Sequence, residues 1–447
     1  MSAKITAKER IVRVLVVSQY WAPEYGVPQR RWGWLAELMK SEGHEVVVLT
    51  PPPHYLRNLS FKEWLSMGGL RVGRRAEVGP AGESIFRTPF FPAGRSLTQR
   101  AVNQLFVATG AILGAVVHRR ALNGKIDVVI GTVPALPTLI ASRVISWLLK
   151  TPYAIDLRDA WPDLLHEHKK WNFSVGKPSL RERIFRFGPA QLVIAVTEII
   201  MNNCLRHSAG IISTSSLLLE KLRRTEQLSL AAQQLDKGVV IRNVFPPGTG
   251  FEKKYYYGGD SVLRVLYAGT VGRAQNLGNI LDALEILRKD GINIELRIIG
   301  EGATKQQLQR QSRALDLPVS FLGRVKPDEL DEHYDWADTA LVHLAAWPPL
   351  RMAIPSKIYE LMEMGMHISG VLDGEAAFLV RHLEAGFTVK PEDPAALAEA
   401  WRNLARNRRS LEIGDLAKDW VRQERNLRTP IILENFVRAL RGKNAGS

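Results

Sequence analysis

Hydrophobic and polar positions alternate in the same way twice along the 447 residues. Short β-branched runs bounded by turn residues are followed each time by stretches of helical period. Runs of that kind read as strands buried on both faces, and strands alternating with helices read as a parallel sheet wrapped by helices. The first series predicts strands over 12–17, 45–49, 127–131, 153–156 and 210–213. It also predicts a helix over 28–41 ending at Gly43, a residue suited to a left-handed cap. The stretch 50–98 is rich in Pro, Gly and Arg and predicts mostly loop with a short helix. A second series begins near Ser261, with strands over 264–267, 295–299, 319–322, 339–343 and 367–371. After Pro394 the pattern is mainly helical, ending in a helix over 430–441. The fold class is α/β, with two doubly wound domains.

Such a length exceeds one ordinary core. Pro246-Pro247-Gly248 and Gly258-Gly259 mark a linker between the two series. The expected division is residues 1–245, a linker over 246–260, a second domain over 261–425 and a terminal helix within 426–447. In doubly wound sheets ligands bind at the carboxyl ends of the strands, so two such domains imply a cleft. The run Leu105 to Val117, between Arg100 and Arg119-Arg120, is too short to span a bilayer, which needs about 20 residues, and predicts a buried helix. Val14-Leu15-Val16-Val17 is too short for a signal segment and predicts the first buried strand.

Composition adds two constraints. Cys204 is the only cysteine, which excludes an intrachain disulfide and a cysteine-based metal site and fits a reducing cytoplasm. The formal charge of +15 is unevenly placed. Through Phe245 there are 33 Lys and Arg against 18 Asp and Glu, whereas the remainder balances at 27 against 27. The whole excess lies in the first half, which points to a polyanionic or membrane partner there.

Candidate chemistry gathers in the second half. Tyr267-Ala268-Gly269-Thr270-Val271-Gly272-Arg273 is a strand opening into a glycine loop, where backbone N–H groups and Arg273 can meet a phosphate. Gly300-Glu301-Gly302 follows another apolar strand. In Ile354-Pro355-Ser356-Lys357-Ile358-Tyr359-Glu360, Pro355 suits a helix start and Lys357 lies three residues before Glu360 on one face. A cation for a diphosphate beside a carboxylate for ribose hydroxyls suits a nucleotide-sugar. Asp-x-Asp occurs nowhere, so the cations stand in for a divalent metal and no metal is expected.

These pieces resemble, as an ordered set, the retaining family 4 glycosyltransferases of GT-B fold, and most of all the branch acting in bacterial capsule, exopolysaccharide and O-antigen assembly. The matching residues run from Ser18-Gln19-Tyr20-Trp21-Ala22-Pro23-Glu24-Tyr25-Gly26 through Gly43-His44-Glu45-Val46 to Leu157-Arg158-Asp159-Ala160-Trp161-Pro162-Asp163. They continue with Tyr267-Ala268-Gly269, Gly272-Arg273-Ala274-Gln275, Gly300-Glu301-Gly302, Phe321-Leu322-Gly323-Arg324, Ile354-Pro355-Ser356-Lys357 and Gly374-Glu375-Ala376-Ala377. The resemblance implies a nucleoside-diphosphate-sugar donor, UDP-linked, held by the C-terminal half through Gly269, Gly272, Arg273, Glu301, Arg324, Ser356, Lys357 and Glu360. Arg273 and Lys357 then face the diphosphate and Glu360 the ribose. It further implies a lipid-linked glycan acceptor, retention of configuration, and a final helix that returns to the first domain. Many family members pair two glutamates eight positions apart; here Met352 stands where the first would be.

On the acceptor side, Gly26 lets the backbone approach substrate, with Arg30 and Arg31 on the following helix. Asp159 is the candidate general base or stabiliser of an oxocarbenium-like transition state, with Arg158 beside it to hold it ionised, or else the two form a structural pair capping the next helix. His54, His118 and His166 are alternatives that no spacing singles out. Lys169, Lys170, Trp171, Phe173, Lys177, Arg181, Arg183, Phe185, Arg186 and Phe187 interleave cations with aromatics ahead of the apolar stretch 192–200. That pattern suits an anionic leaflet and peripheral attachment at the cytoplasmic membrane face. No nucleic-acid motif accompanies it, and no nucleic acid is expected. A nucleotide-sugar epimerase on the same fold and a non-catalytic binding module are the rival readings.

Overall fold

The computed structural model describes residues 11–442 apart from 25, 55–58, 93–96, 123–124, 134, 162, 168–188, 225–237, 256–261 and 327–328. Two sheets organise it. The first is built from β1 (Arg13–Val17), β2 (Glu45–Thr50), β3 (Glu77–Val78), β4 (Ser84–Arg87), β5 (Val128–Val133), β6 (Tyr153–Leu157), β7 (Gly210–Ser213) and β8 (Gly238–Val240). Their order is β3-β4-β2-β1-β5-β6-β7-β8, with only the β3–β4 pair antiparallel among the described residues. The second contains β9 (Leu263–Ala268), β10 (Ile294–Ile299), β11 (Val319–Leu322), β12 (Thr339–His343), β13 (Ile368–Val371) and β14 (Gly386–Val389). It is parallel, in the order β11-β10-β9-β12-β13-β14, which is the doubly wound dinucleotide-binding arrangement.

Strand periodicity explains the layering. Along β1, Val14 and Val16 face one side and pack with Trp32, Leu35 and Met39 of helix Val27–Ser41. Leu15 and Val17 face the other side, toward helices Leu97–Val117 and Pro137–Leu149. Helix Val27–Ser41 ends as its sequence predicts. Gly43 takes φ +83°, its N–H donates to Lys40 O, and His44 N–H donates to Met39 O, so the last carbonyls find partners.

Among the described residues, three of the places where the two domains meet stand out. The linker is gripped by the second domain, where Lys253 N–H donates to Met364 O and Lys253 Nζ to Asp335 O. The chain then crosses back through helix Leu416–Gln423 and a π-turn over Glu424–Arg428 into helix Thr429–Gly442, which lies on the first domain. Phe436 of that helix packs where a Cβ on Gly210 would be 2.7 Å away, His44 Nε2 meets Glu434 at 2.6 Å, and Arg441 meets Asp127 at 3.4 Å. The third contact is Glu375. Gly374, at φ +67° and pressed so close that a Cβ would lie 2.0 Å from Arg351 O, starts helix Gly374–His382 at the cleft edge. Glu375 then accepts hydrogen bonds from the Ser216 and Leu217 amides at 3.0 and 2.8 Å and pairs with Arg242 at 2.7 Å.

Two sequence-based expectations change against the structure, one by completion and one by correction. The described part of 50–98 is mostly loop with the short helix Phe61–Ser66, as expected, but it also carries β3 and β4, which the sequence reading did not give. β3 and β4 are two and four residues long, too short for a period-2 pattern to stand out. β8 and β14 escaped for the same reason. The apolar run 105–117 forms a helix but is not buried all round, as Leu105, Phe106, Leu113, Val116 and Val117 are exposed. The cation–aromatic segment 169–187 lies outside the described residues.

Candidate functional site

Both sheets point their carboxyl ends at the interdomain cleft, and the strand order of the parallel C-terminal sheet reverses between β9 and β12. Loops at such a switch point diverge and leave a crevice. The β9 loop carries Gly269 to Arg273, and the β12 loop leads through Pro348–Met352 into helix Ser356–Glu363. A backbone bond from Ala345 N–H to Ala274 O ties the two loops together. Arg273 and Lys357 therefore flank one crevice.

The glycine loops have a role the sequence did not disclose. Gly269 N–H donates to Ile299 O and Val271 N–H to Glu301 O, so these amides are already used. A Cβ on Gly300 would lie 1.8 Å from Gly269 O, and one on Gly302 would lie 2.0 Å from Val271 O. The glycines thus let two loops stack backbone on backbone, and the expected approach of Gly269 to a phosphate is corrected. Among the described residues no backbone partner takes the amides of Gly272 and Arg273, which open the 3-10 turn Arg273–Gln275. Among the described residues Arg273 Nε is buried without a hydrogen-bond partner. A buried donor left unpaired costs about 1–3 kcal/mol, and an anion in the crevice would recover it.

Helix Ser356–Glu363 begins with Pro355 at its cap rather than in its first turn. Lys357 Nζ donates to the Tyr334 hydroxyl at 2.9 Å and meets Glu360 Oε2 at 3.2 Å. Burial works against its charge, but Tyr334 and Glu360 outweigh burial and hold the ammonium above its ordinary value. Tyr334, on helix Leu330–Trp336, is 1% exposed, and burial pushes its hydroxyl up, so it stays neutral beside the cation. Glu360 also faces the first domain, where Arg30 lies 3.7 Å away. Arg30 sits 4.5 Å over the Phe245 ring and donates to Pro246 O at 2.7 Å. Arg31 does not join it. That side chain is fully buried, forked onto Asp156 and bonded to Ile241 O, a structural tie between helix Val27–Ser41 and the strand leading to the linker.

The remaining predicted residues are dispersed. Ser356 is half-buried beside Lys357. Glu301 is exposed and paired with Lys305, whose Nζ also bonds Gly300 O and Leu322 O. Arg324 is exposed at the end of edge strand β11. Gly26 caps helix Val27–Ser41 in extended geometry. Asp159 follows β6, and its carboxylate carries no hydrogen bond or ion pair among the described residues. Arg158 turns its Nε to Val133 O instead. Burial pushes the Asp159 carboxyl up, Arg158 beside it works against that rise, and Asp156 adds to it. His118 is a structural histidine bonded to Gly73 O. His54 is packed against Phe90 with burial pushing its imidazole down, and the side chain of His166 lies outside the described residues.

Two residues and one packing contact escaped the sequence reading. Tyr334 holds Lys357 from another helix, and no linear spacing links them. His343, fully buried at the end of β12, is pushed down to about 3 by burial and stays neutral 3.5 Å from Asn279. Met352, in place of the family's first glutamate, packs on the first domain's apolar cluster beside Trp161. It lines a groove of ≈ 730 Å³ between the domains, together with Asp163, Lys221 and Arg351.

Two family models match successive parts of the chain. Residues 26–226 match the glycosyl transferase 4-like domain, and residues 260–426 match glycosyl transferases group 1. The chain carries two glycosyltransferase domains. A putative colanic acid biosynthesis glycosyl transferase, WcaI of Escherichia coli K12, is 23% identical over 454 residues, spanning 96% of this chain and all of that protein. Among solved structures, the chain is similar to sucrose-phosphate synthase from Thermosynechococcus elongatus, with TM-score 0.62, 14% identity and coverage of 98% of this chain and 100% of that one. It is also similar to Anabaena HepE in complex with UDP-glucose, with TM-score 0.58, 15% identity and coverage of 96% and 99%. The facing doubly wound domains are thus a GT-B architecture.

Proposed function

We propose that the protein transfers a sugar from a UDP-sugar to a lipid-linked or glycan acceptor in bacterial surface polysaccharide synthesis, with retention of configuration. The observation that carries this reading is the crevice between β9 and β12. There an unpartnered Arg273 Nε and a charged Lys357 face the place a diphosphate would occupy, and Glu360 waits for ribose hydroxyls. Leaving diphosphate gathers negative charge in the transition state, and fixed cations aimed at it lower the barrier. These cations replace a divalent metal, so chelation with EDTA leaves turnover unchanged. Support for the donor class comes from HepE, whose complex contains UDP-glucose, and support for the acceptor class from the colanic acid relative.

On the acceptor side Asp159 serves as base or electrostatic partner at the end of β6. Its raised carboxyl suits proton exchange, and among the described residues no hydrogen bond ties it down. The basic first half supports a location at the cytoplasmic face of the membrane, where a lipid-linked acceptor would reside.

The deciding experiment is a thermal-stability panel with UDP, GDP, ADP and CMP on wild type, Arg273→Ala and Lys357→Ala. A nucleotide at about 100 times its Kd stabilises by roughly 2.7 kcal/mol. Selective stabilisation by UDP that both variants lose supports the reading. No stabilisation by any nucleotide would sink it.

A further inference from the structure

Helix Leu97–Val117 is built the wrong way round for a soluble protein. Its inner face carries small residues, with Ala108, Ala111 and Ala115 packed in the core. A Cβ on Gly110 would lie 2.2 Å from Pro89 O, and one on Gly114 would lie 2.9 Å from Thr88 Cγ2. Its outer face carries the large residues, including Leu105, Phe106, Leu113, Val116 and Val117, exposed by 44–56%. A surface helix ordinarily buries its large apolar side chains and turns polar ones outward. Residues 101–117 contain no charged side chain, while Arg100 precedes them and Arg119 and Arg120 follow. The outward Thr109 returns its hydroxyl to Leu105 O and Phe106 O, leaving that hydroxyl proton satisfied without water.

The face extends sideways. Helix Pro137–Leu149 packs between helix Leu97–Val117 and helix Pro189–His207. It presents Trp147, 76% exposed, and Ile140. Helix Pro189–His207 presents Leu192, Val196, Ile199 and Ile200 at the i, i+4, i+7, i+8 spacing of one helical face. Three neighbouring helices thus share an outward apolar surface, in the half of the chain that holds the whole +15 charge excess. Arg143 and Arg206 stand on the same helices, the latter in a last turn.

We infer that this three-helix face is a membrane-insertion surface whose occupant is an anionic lipid bilayer. Apolar side chains enter the acyl boundary, and the cations at the helix ends meet the headgroups. The charge favours lipid over a second copy of the chain, which would set like charges against each other. The inference deepens the proposed membrane location by assigning it to particular residues, and it rests on that location but not on the donor site.

The same surface meets the acceptor side of the cleft. Gln19, in the loop after β1, donates from Nε2 to Asn103 Oδ1 in the early part of helix Leu97–Val117 at 2.6 Å. The Phe91 and Phe106 rings stand 5.4 Å apart at that end. A lipid-linked acceptor lying in the leaflet would therefore reach the cleft along protein already in contact with the bilayer.

The test is flotation with phosphatidylglycerol–phosphatidylcholine vesicles and with pure phosphatidylcholine vesicles, for wild type, Leu113→Glu, Trp147→Glu and Ile199→Glu. Val78→Glu, at a residue 84% exposed on β3, is the control. All four sites are solvent-exposed, and circular dichroism verifies folding. The expected result is binding to the anionic vesicles, lowered roughly tenfold or more by each face substitution and unchanged by the control. Nucleotide-induced stabilisation stays the same in all variants, so failure of the donor-site reading is seen separately. Absence of wild-type binding, or binding that the face variants retain, would overturn the inference. So would a concentration-dependent dimer in analytical ultracentrifugation that the same substitutions abolish.

Discussion

Arg273→Ala separates a ligand-binding role from a structural one, because the two predict opposite effects on the empty protein. Arg273 Nε is buried and has no hydrogen-bond partner among the described residues. Truncation removes an orphaned donor along with some packing, so unfolding stability without ligand should change by less than about 1 kcal/mol. A hydrogen bond from a guanidinium to a diphosphate oxygen contributes about 1.5–3 kcal/mol, or roughly 10- to 150-fold in Kd. Isothermal titration with the stabilising nucleotide should show a loss in that range. The matching nucleoside, which lacks the diphosphate, should bind wild type and variant alike. Equal losses for nucleotide and nucleoside would refute the diphosphate assignment, and so would a large drop in ligand-free stability with no change in nucleotide Kd.

Three further outcomes follow from other contacts. Tyr334→Phe removes the hydroxyl that positions Lys357; kcat should fall about tenfold with little change in KM, and the lysine's titration, read by chemical modification against pH, should move down from its raised value. Asp159 has a raised folded pKa, so its share of stability is present below the ordinary 3.8 and is lost as pH rises through the folded value. Asp159→Asn should therefore raise the Tm at pH 7, with the gain vanishing in acid, while turnover drops about 10²- to 10⁴-fold; a lower Tm at neutral pH refutes the burial argument. Glu375→Gln leaves Arg242 without its carboxylate and weakens the bonds from Ser216 and Leu217, which should cost about 3 kcal/mol in urea unfolding and enlarge the radius of gyration in solution scattering; an unchanged radius would argue against its role between domains.

Much of the fold was legible because buried parallel strands leave β-branched runs, and β1, β2 and β5 stand out that way. The pieces that escaped, β3, β8 and β14, have two to four residues each and owe their pairing to neighbours in space. In the site, Lys357 and Glu360 could be paired from helical spacing alone. Tyr334 could not, since it reaches Lys357 across 23 positions from a different helix. The glycine loops were found for the wrong reason: Gly269, Gly300 and Gly302 answer to each other's backbones, a steric fact invisible in one dimension. Arg30 and Arg31 looked equivalent as neighbours, yet one helical step turns the first to the cleft and the second into the core.

Glu375 makes the two amides it caps into a built-in clock for domain motion. Ser216 and Leu217 begin a helix of the first domain, yet their hydrogen-bond acceptor belongs to the second. Whenever the domains part, those two N–H groups lose their acceptor and turn to water. Hydrogen–deuterium exchange at these two positions therefore counts opening events, without a label or a ligand. A donor that closes the cleft should slow that exchange, and the slowing converts directly into the free energy linking donor binding to closure.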